Sequence, residues 1–347
     1  MNNQRRIRDY GIVIGSLPTG NRNSISDVNG VTVGHATLNS ETVKTGVTAL
    51  IPHQGNPFRE KLMAAAHVIN GYGKSIGIMQ IEEMGTIETP IILTNTLSVG
   101  IACDALFEYM LKHNESIGLS AGTVNPLVLE CNDYYLNDIR GMHVKREHIL
   151  QGLAQAEADF GEGSVGAGTG MSCYELKGGI GSASRSCAIG QGEYTVGVLV
   201  LTNMGKTKDL TINGKPVGRM IIAQGSSEQE TDGGSIIVII ATDMPLSERQ
   251  LKRTARHAAI GIARTGGYTE SGSGEIAIAF STANRISHDP SEALFDFQMI
   301  HESTIDLLFR AVVECTEESI LNSLFTAETT TGRGGTRHSL KEYISYL

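Results

Sequence analysis

Thr231-Asp-Gly-Gly-Ser235-Ile-Ile-Val-Ile-Ile240 is the stretch on which the reading of this 347-residue chain turns. A polar lead, Gly225-Ser-Ser-Glu-Gln-Glu-Thr231, meets two glycines and then an apolar run. A run rich in isoleucine, apolar on both parities and bounded by a Gly-Gly turn, predicts a strand covered on both faces. Ser235 stands at its first position, beside glycines free to take dihedrals that other residues avoid. Two accounts fit these residues. One is a glycine turn entering a core strand with an incidental serine. The other is a junction built for chemistry at the Gly234–Ser235 peptide bond.

Working outward, β-type runs are predicted at Ile12 to Ile14, Val31 to Val33, Val47 to Ile51, Ile91 to Thr94, Thr195 to Thr202, Ile236 to Ala241 and Ile276 to Phe280. Helical patterns lie near Val99 to Lys112, Lys145 to Ala158, Ser247 to Arg264 and Thr304 to Leu324. The third is the clearest, because Leu251, Ala255, Ala258, Ala259 and Ile262 share one face. Ser247 with Gln250 supplies a capping box at its start, and Gly266-Gly267 the stop. Strands and helices alternate without a strict βαβ rhythm, which favours a layered α+β fold over a doubly wound sheet. No repeat or linker divides the chain.

Composition narrows the function. The net charge is -9 and the 28 Lys and Arg are scattered, so a phosphate backbone would be repelled and nucleic acid is not expected as a partner. The amino-terminal stretch has too few apolar residues for a signal sequence, and no run approaches the roughly 18 apolar residues of a spanning helix. A soluble, cytoplasmic protein is expected. The five cysteines (Cys103, Cys131, Cys173, Cys187 and Cys315) are odd in number and widely spaced, which fits buried thiols instead of disulfides or a zinc knuckle. The 41 glycines exceed the usual share of about 7% and imply many tight turns.

Other chemistries fail on spacing. Val68-Ile-Asn-Gly-Tyr-Gly-Lys74-Ser75 ends like a phosphate loop but has Val68 where that motif needs glycine. His143 and His148 are spaced wrongly to share a helix face, and no HExxH occurs, so no metal site is expected. Gly272-Ser273-Gly274 precedes its strand, which argues against a nucleophile elbow.

The Gly234–Ser235 junction suits self-cleavage. The serine hydroxyl would attack the preceding carbonyl, shift the chain to an ester, and water would release a new amino terminus. The freed α-amine, with a pKa of about 7.7 to 8.0, could then act as the serine's own base.

Eight features stand in order along the chain. They are Gly15-Ser-Leu-Pro-Thr-Gly20 with Ser26-Asp-Val-Asn-Gly-Val-Thr-Val-Gly-His35, Thr45-Gly-Val-Thr-Ala-Leu-Ile-Pro-His53, Glu88-Thr-Pro-Ile-Ile-Leu-Thr-Asn-Thr-Leu-Ser-Val-Gly100, Glu130-Cys-Asn-Asp133, Gly166-Ala-Gly-Thr-Gly170, Lys177-Gly-Gly-Ile-Gly-Ser-Ala-Ser-Arg185, Gly234-Ser235 and Ser271-Gly-Ser-Gly-Glu275. In these the sequence resembles the DmpA family of L-aminopeptidase/D-esterases and β-peptidyl aminopeptidases, which are N-terminal-nucleophile-type hydrolases. The resemblance implies an αββα four-layer sandwich, cleaved into fragments 1 to 234 and 235 to 347 that fold as one domain. It implies Ser235 as nucleophile, Ser273 and Glu275 as its assistants and Asn203 as the oxyanion donor. A family tyrosine contact in the first fragment falls near Asn132 or Tyr134. The implied reaction releases amino-terminal L-, D- or β-amino acids from peptides, amides or esters without a cofactor. A homo-oligomer, a tetramer of cleaved fragment pairs, is implied too. The rival readings are an acyltransferase of the related ornithine type, whose nucleophile is threonine, a non-catalytic ligand-binding relative, and a purely structural oligomer.

Overall fold

A computed structural model describes residues 4–223, 234–289 and 293–346. The polar lead at 225–231 lies outside the described residues. In chain order the elements are β1 (Thr32–Asn39), β2 (Lys44–Ile51), β3 (Glu60–Gly71), α1 (Ile78–Met84), β4 (Thr86–Ile87), β5 (Ile91–Asn95), α2 (Val99–His113), β6 (Leu127–Cys131) and α3 (Arg146–Ala154). After them come β7 (Ser172–Cys173), β8 (Leu176–Lys177), β9 (Ile180–Ile189), β10 (Gly192–Asn203), α4 (Val217–Ala223), β11 (Ser235–Thr242), α5 (Glu248–Arg256), α6 (Ala258–Arg264), β12 (Gly274–Ser287) and α7 (Asp306–Thr326).

Two main sheets result. One has the order β1-β2-β5-β6, the other β4-β3-β12-β11-β10-β9. Side-chain parity shows how they stack, because alternate residues of a strand point to opposite faces. In β11, Ile237, Ile239 and Ala241 pack between the sheets with Leu50, Leu93 and Leu129 of the smaller sheet. Ile236, Val238 and Ile240 face the other way, into a core shared with Leu251, Ala258, Leu308 and Val312 of α5, α6 and α7. A third core joins Val47, Ala49, Ile92 and Val128 of the smaller sheet to Ala102, Leu106, Ile149 and Leu153 of α2 and α3. Helix, sheet, sheet, helix is therefore the layer order, the αββα arrangement expected. All eight residues of β11 are buried, as a strand covered on both faces requires.

The predicted helices all form, with one correction. The Ser247–Arg264 pattern begins at its capping box, where the Ser247 hydroxyl accepts from Gln250 N at 3.3 Å, but breaks at His257 into α5 and α6. The His257 ring bonds the Arg253 carbonyl that its own backbone N–H would otherwise use, at 2.8 Å. That N–H turns to Thr254 O instead. Ile12 to Ile14 is also corrected: it is not a strand. Among the described residues it has no neighbour to pair with, and the Ile14 carbonyl accepts from Arg8 and Arg185 instead. Strands β3, β6 and β9 were not predicted. In β9 small residues replace the usual β-branched ones because α7 lies against it: a Cβ on Gly181 would sit 2.0 Å from the Ser319 carbonyl oxygen.

A buried ionic network ties the chain's first part to α7. Arg185, fully buried, reaches Glu314 at 3.0 Å and Glu318 at 2.6 Å, and Arg8 meets Glu318 from the other side at 2.6 Å. Burial pushes the Glu318 carboxyl up, but hydrogen bonds and charge from Arg8, Arg185 and Asn23 overcome it and hold its pKa below the usual value. A depressed carboxylate contributes stability above its unfolded pKa, about 4.3 for glutamate, and that contribution is lost as acid takes the pH through the lower folded value. Replacing Arg185 by Ala leaves two buried carboxylates short of a partner and should destabilise the fold by about 3–5 kcal/mol in denaturant titration at neutral pH, with the difference from wild type shrinking below pH 4 or so.

Candidate active site

The site forms where three strands of the larger sheet begin or end. Strand β11 lies antiparallel to β10 and parallel to β12, so the first residue of β11 meets the last of β10 and the first of β12. The register pairs Ser235 with Asn203 on one side and with Gly274 on the other. A polar cluster thereby sits at one end of a sheet whose interior is apolar.

Ser235 is nearly buried, at 7% exposure. Its Oγ donates to the Gly234 carbonyl at 2.8 Å and accepts from Gly274 N at 3.3 Å. Ser273 and Glu275 flank Gly274, and the Ser273 hydroxyl donates to Glu275 Oε1 at 2.7 Å. The second carboxylate oxygen accepts from the Thr269 hydroxyl at 2.5 Å. Both members of the pair are buried. Asn203 is oriented at both ends of its amide: Oδ1 accepts from Ser172 N at 3.0 Å and Nδ2 donates to the Asn132 carbonyl at 2.9 Å. A primary amide nitrogen carries two N–H groups, so one remains beyond the bond to Asn132, on a residue paired with Ser235 and lining the same cleft as Gly234.

Asn132 is exposed, and it takes part through its backbone carbonyl; its side-chain oxygen accepts from Tyr134 N at 3.2 Å and shapes the turn. Tyr134 is half-buried and walls two adjoining clefts that meet at Gly234. One is lined by Asn203, Ser172, Glu175 and Arg337, the other by Ser235, Glu130, Lys74 and Tyr72. Glu130, part of the Glu130-Cys-Asn-Asp133 motif, lines this second cleft. It is almost fully buried, accepts from Lys74 N at 2.8 Å and from the Thr96 hydroxyl, and so presents an oriented carboxylate in the cleft beside Ser235. A charged residue inside the apolar run Leu127–Cys131 was the available signal.

Ser172, which orients Asn203, is paired in its ladder with Lys177. Its ammonium nitrogen, fully buried, donates to the carbonyls of Gly168, Met171 and Gly178 at 2.9, 2.9 and 2.6 Å. Burial pushes its pKa down to about 7. Nearby Asp133 is pushed up to about 7, also by burial. Among the described residues no group of His, Cys, Asp and Glu is arranged to hold a metal ion, and no helix is long and apolar enough to cross a membrane. The five cysteines are free thiols, four of them buried.

A nearly buried serine opening a central strand of an αββα sandwich, with a carboxylate-backed serine and an oriented amide at its flanks, defines the class: an N-terminal-nucleophile hydrolase fold. The family model for peptidase family S58 matches residues 23–338. The β-peptidyl aminopeptidase BapA of Sphingosinicella microcystinivorans is 38% identical over 95% of this chain and 88% of its own length. Among solved structures, the PH0078 protein of Pyrococcus horikoshii OT3 superposes with a TM-score of 0.94 at 52% identity, covering 99% of this chain and 98% of that one. The L-aminopeptidase D-Ala-esterase/amidase of Ochrobactrum anthropi, described as a variant of the Ntn hydrolase fold, gives 0.88 at 34% identity over 97% and 98% of the two chains. The chain belongs to peptidase family S58, and is an aminopeptidase with the Ntn hydrolase fold.

Close packing around Ser235 gives a direct test. A Cβ on Gly274 would lie 2.9 Å from the Tyr72 carbonyl oxygen and 3.3 Å from Ser235 Oγ. Gly274→Ala should displace the serine and lower kcat/KM by about tenfold or more, since misplacements near 1 Å cost up to a hundredfold, while circular dichroism stays native.

Proposed function

We propose that the chain cuts itself between Gly234 and Ser235 and then uses Ser235 to release amino-terminal residues from peptides, amides or esters. The observation that carries this reading is the position of Ser235: first in the central strand, with its hydroxyl 2.8 Å from the carbonyl oxygen of the bond to be broken. In the first step Oγ attacks the Gly234 carbonyl carbon, the C–N bond breaks, and the nitrogen takes the hydroxyl proton. Water then hydrolyses the ester, leaving the Gly234 carboxylate and a free α-amine on Ser235.

In the second phase that amine takes the proton from Oγ as the serine attacks a substrate carbonyl. The second N–H of Asn203 Nδ2 faces the developing negative oxygen. Ser273, backed by Glu275, bridges amine and nucleophile by hydrogen bonds, and the Glu275 carboxylate stabilises the ammonium that forms. The amine returns its proton to the leaving group, and water deacylates the ester. Glu130, the carboxylate in the cleft beside Ser235, receives the ammonium of the substrate's terminal residue; an oriented buried carboxylate favours a cation over a neutral blocked terminus. The substrate class is thus an unblocked amino-terminal residue. Similarity to a β-peptidyl aminopeptidase and to an L-aminopeptidase supports assaying β- as well as α-amino acyl groups.

The two fragments, 1 to 234 and 235 to 347, stay together because β11 and β12 from the second lie between β3 and β10 from the first. Separation would expose β11, buried along its whole length.

Trapping tests this reading. The enzyme is quenched in acid during turnover of L-alanyl, D-alanyl and β-alanyl esters and weighed under denaturing conditions. The 235 to 347 fragment should gain one aminoacyl mass with at least one of the esters, and a blocked N-acetyl ester should add none. Full turnover by Ser235→Ala would remove the nucleophile assignment. Asn203→Ala should lower kcat by about a hundredfold to a thousandfold, the usual loss of one oxyanion donor.

A further inference from the structure

We propose that Thr269 is a positioning residue for the reaction: its hydroxyl, held by a strained backbone, fixes the carboxylate of Glu275 so that Ser273 stays aimed at the nucleophile. The inference rests on the reading of Ser273 and Glu275 given above.

Thr269 has φ +62. In that left-handed region a β-branched side chain crowds its own backbone, and such residues are true outliers there. Residues held this way persist where the surroundings over-determine them, and they gather at active sites. The surroundings here do so. Gly266, at φ +100, starts the loop. Asn70, on neighbouring β3, then clamps it from the side. Its amide donates to the carbonyls of Glu270 at 3.1 Å, Ser271 at 3.3 Å and Ser273. Within the loop Ser273 N returns to Glu270 O at 3.0 Å, and Tyr72 N bonds Ser273 O at 3.3 Å.

The strain produces one contact of chemical weight. Glu275 is 2% exposed. Its Oε1 takes the Ser273 hydroxyl at 2.7 Å and its Oε2 the Thr269 hydroxyl at 2.5 Å. With both oxygens engaged, the carboxylate plane cannot turn about its last bond. The Ser273 proton is then committed to Glu275, and its lone pairs are left to accept from the amine or hydroxyl of Ser235. Without the Thr269 hydroxyl, a buried oxygen loses its donor, and the carboxylate rotates to recover one, taking Ser273 with it.

A residue that served only to satisfy a buried carboxylate would affect stability and leave turnover alone. The variants Thr269→Ser, Thr269→Gly and Thr269→Ala separate the two roles. Serine keeps the hydroxyl without the branch; glycine removes both hydroxyl and strain; alanine removes the hydroxyl but retains a Cβ in the left-handed region. Each full chain is purified, its fraction of cleaved molecules read by mass, and kcat and KM measured per cleaved chain with an amino-acid p-nitroanilide, beside melting temperature. Thr269→Ser should keep kcat within about threefold of wild type, while Thr269→Gly and Thr269→Ala lose about tenfold to a hundredfold, as outer-shell orienting partners do elsewhere. KM should move less than kcat. Thr269→Gly should melt above Thr269→Ala, since glycine accepts positive φ. A folded Thr269→Gly that stays uncut while Thr269→Ser is cut also supports the assignment. Wild-type kcat in Thr269→Gly, or a Thr269→Ser as impaired as Thr269→Gly, overturns it. Ser273→Ala and Glu275→Gln identify which level fails: unchanged kcat in both removes the reading of the pair, whereas losses there with an intact Thr269→Gly remove only the role of Thr269.

Discussion

The register of three strands sets everything else at the site. Because β10 runs antiparallel to β11 and β12 runs parallel to it, the end of β10 and the beginnings of β11 and β12 coincide, and Asn203, Ser235 and Gly274 fall side by side. A slip of one residue in either pairing would turn the polar groups to the opposite face. That register is specified by burial. Ile237, Ile239 and Ala241 belong between the sheets, and Ile236, Val238 and Ile240 under the helices. The apolar cores on both faces thus position the chemistry at the strand's first residue.

Polar groups around that point are placed in tiers. Ser172 and the Asn132 carbonyl orient the Asn203 amide; Lys177, paired with Ser172, gathers the carbonyls of Gly168, Met171 and Gly178. On the other side, Asn70 and the Glu270 to Ser273 turn present Ser273 to Glu275. Long-range ion pairs from Arg8 and Arg185 to α7 hold the first part of the chain against the last. Such buried pairs contribute little net stability over apolar packing but penalise every arrangement that breaks them. They suit a protein proposed to carry a cut in its backbone.

Much of the architecture was legible because runs such as Ile236 to Ala241 and patterns such as Thr304 to Leu324 carry their own period. Strands β3 and β9 were not. Ala64-Ala65-Ala66 in β3 has no strand propensity, and Gly181-Ser182-Ala183-Ser184 in β9 reflects the close approach of α7, a tertiary fact. The break at His257 depends on a ring nitrogen capturing a carbonyl, which no periodicity shows. At the site, resemblance supplied Ser235, Ser273, Glu275 and Asn203, and the fold brings them to the same strand ends; their catalytic roles remain those proposed above. For the family tyrosine contact, the geometry gives Asn132 a backbone part and Tyr134 a place in the cleft wall. Glu130 carried one signal, a charge inside an apolar run, but its place at the site shows only in the cleft, and Thr269 stayed hidden because only a backbone angle reveals it.

The central claim is that the bond before Ser235 breaks by the protein's own chemistry, and the mass of the freshly purified chain under denaturing conditions tests it most directly, with Ser235→Ala alongside. The account predicts two species for the wild type, corresponding to 1 to 234 and 235 to 347, and one intact species for the variant. A wild-type chain that remains whole after prolonged incubation, or a variant cut at the same bond, would contradict it.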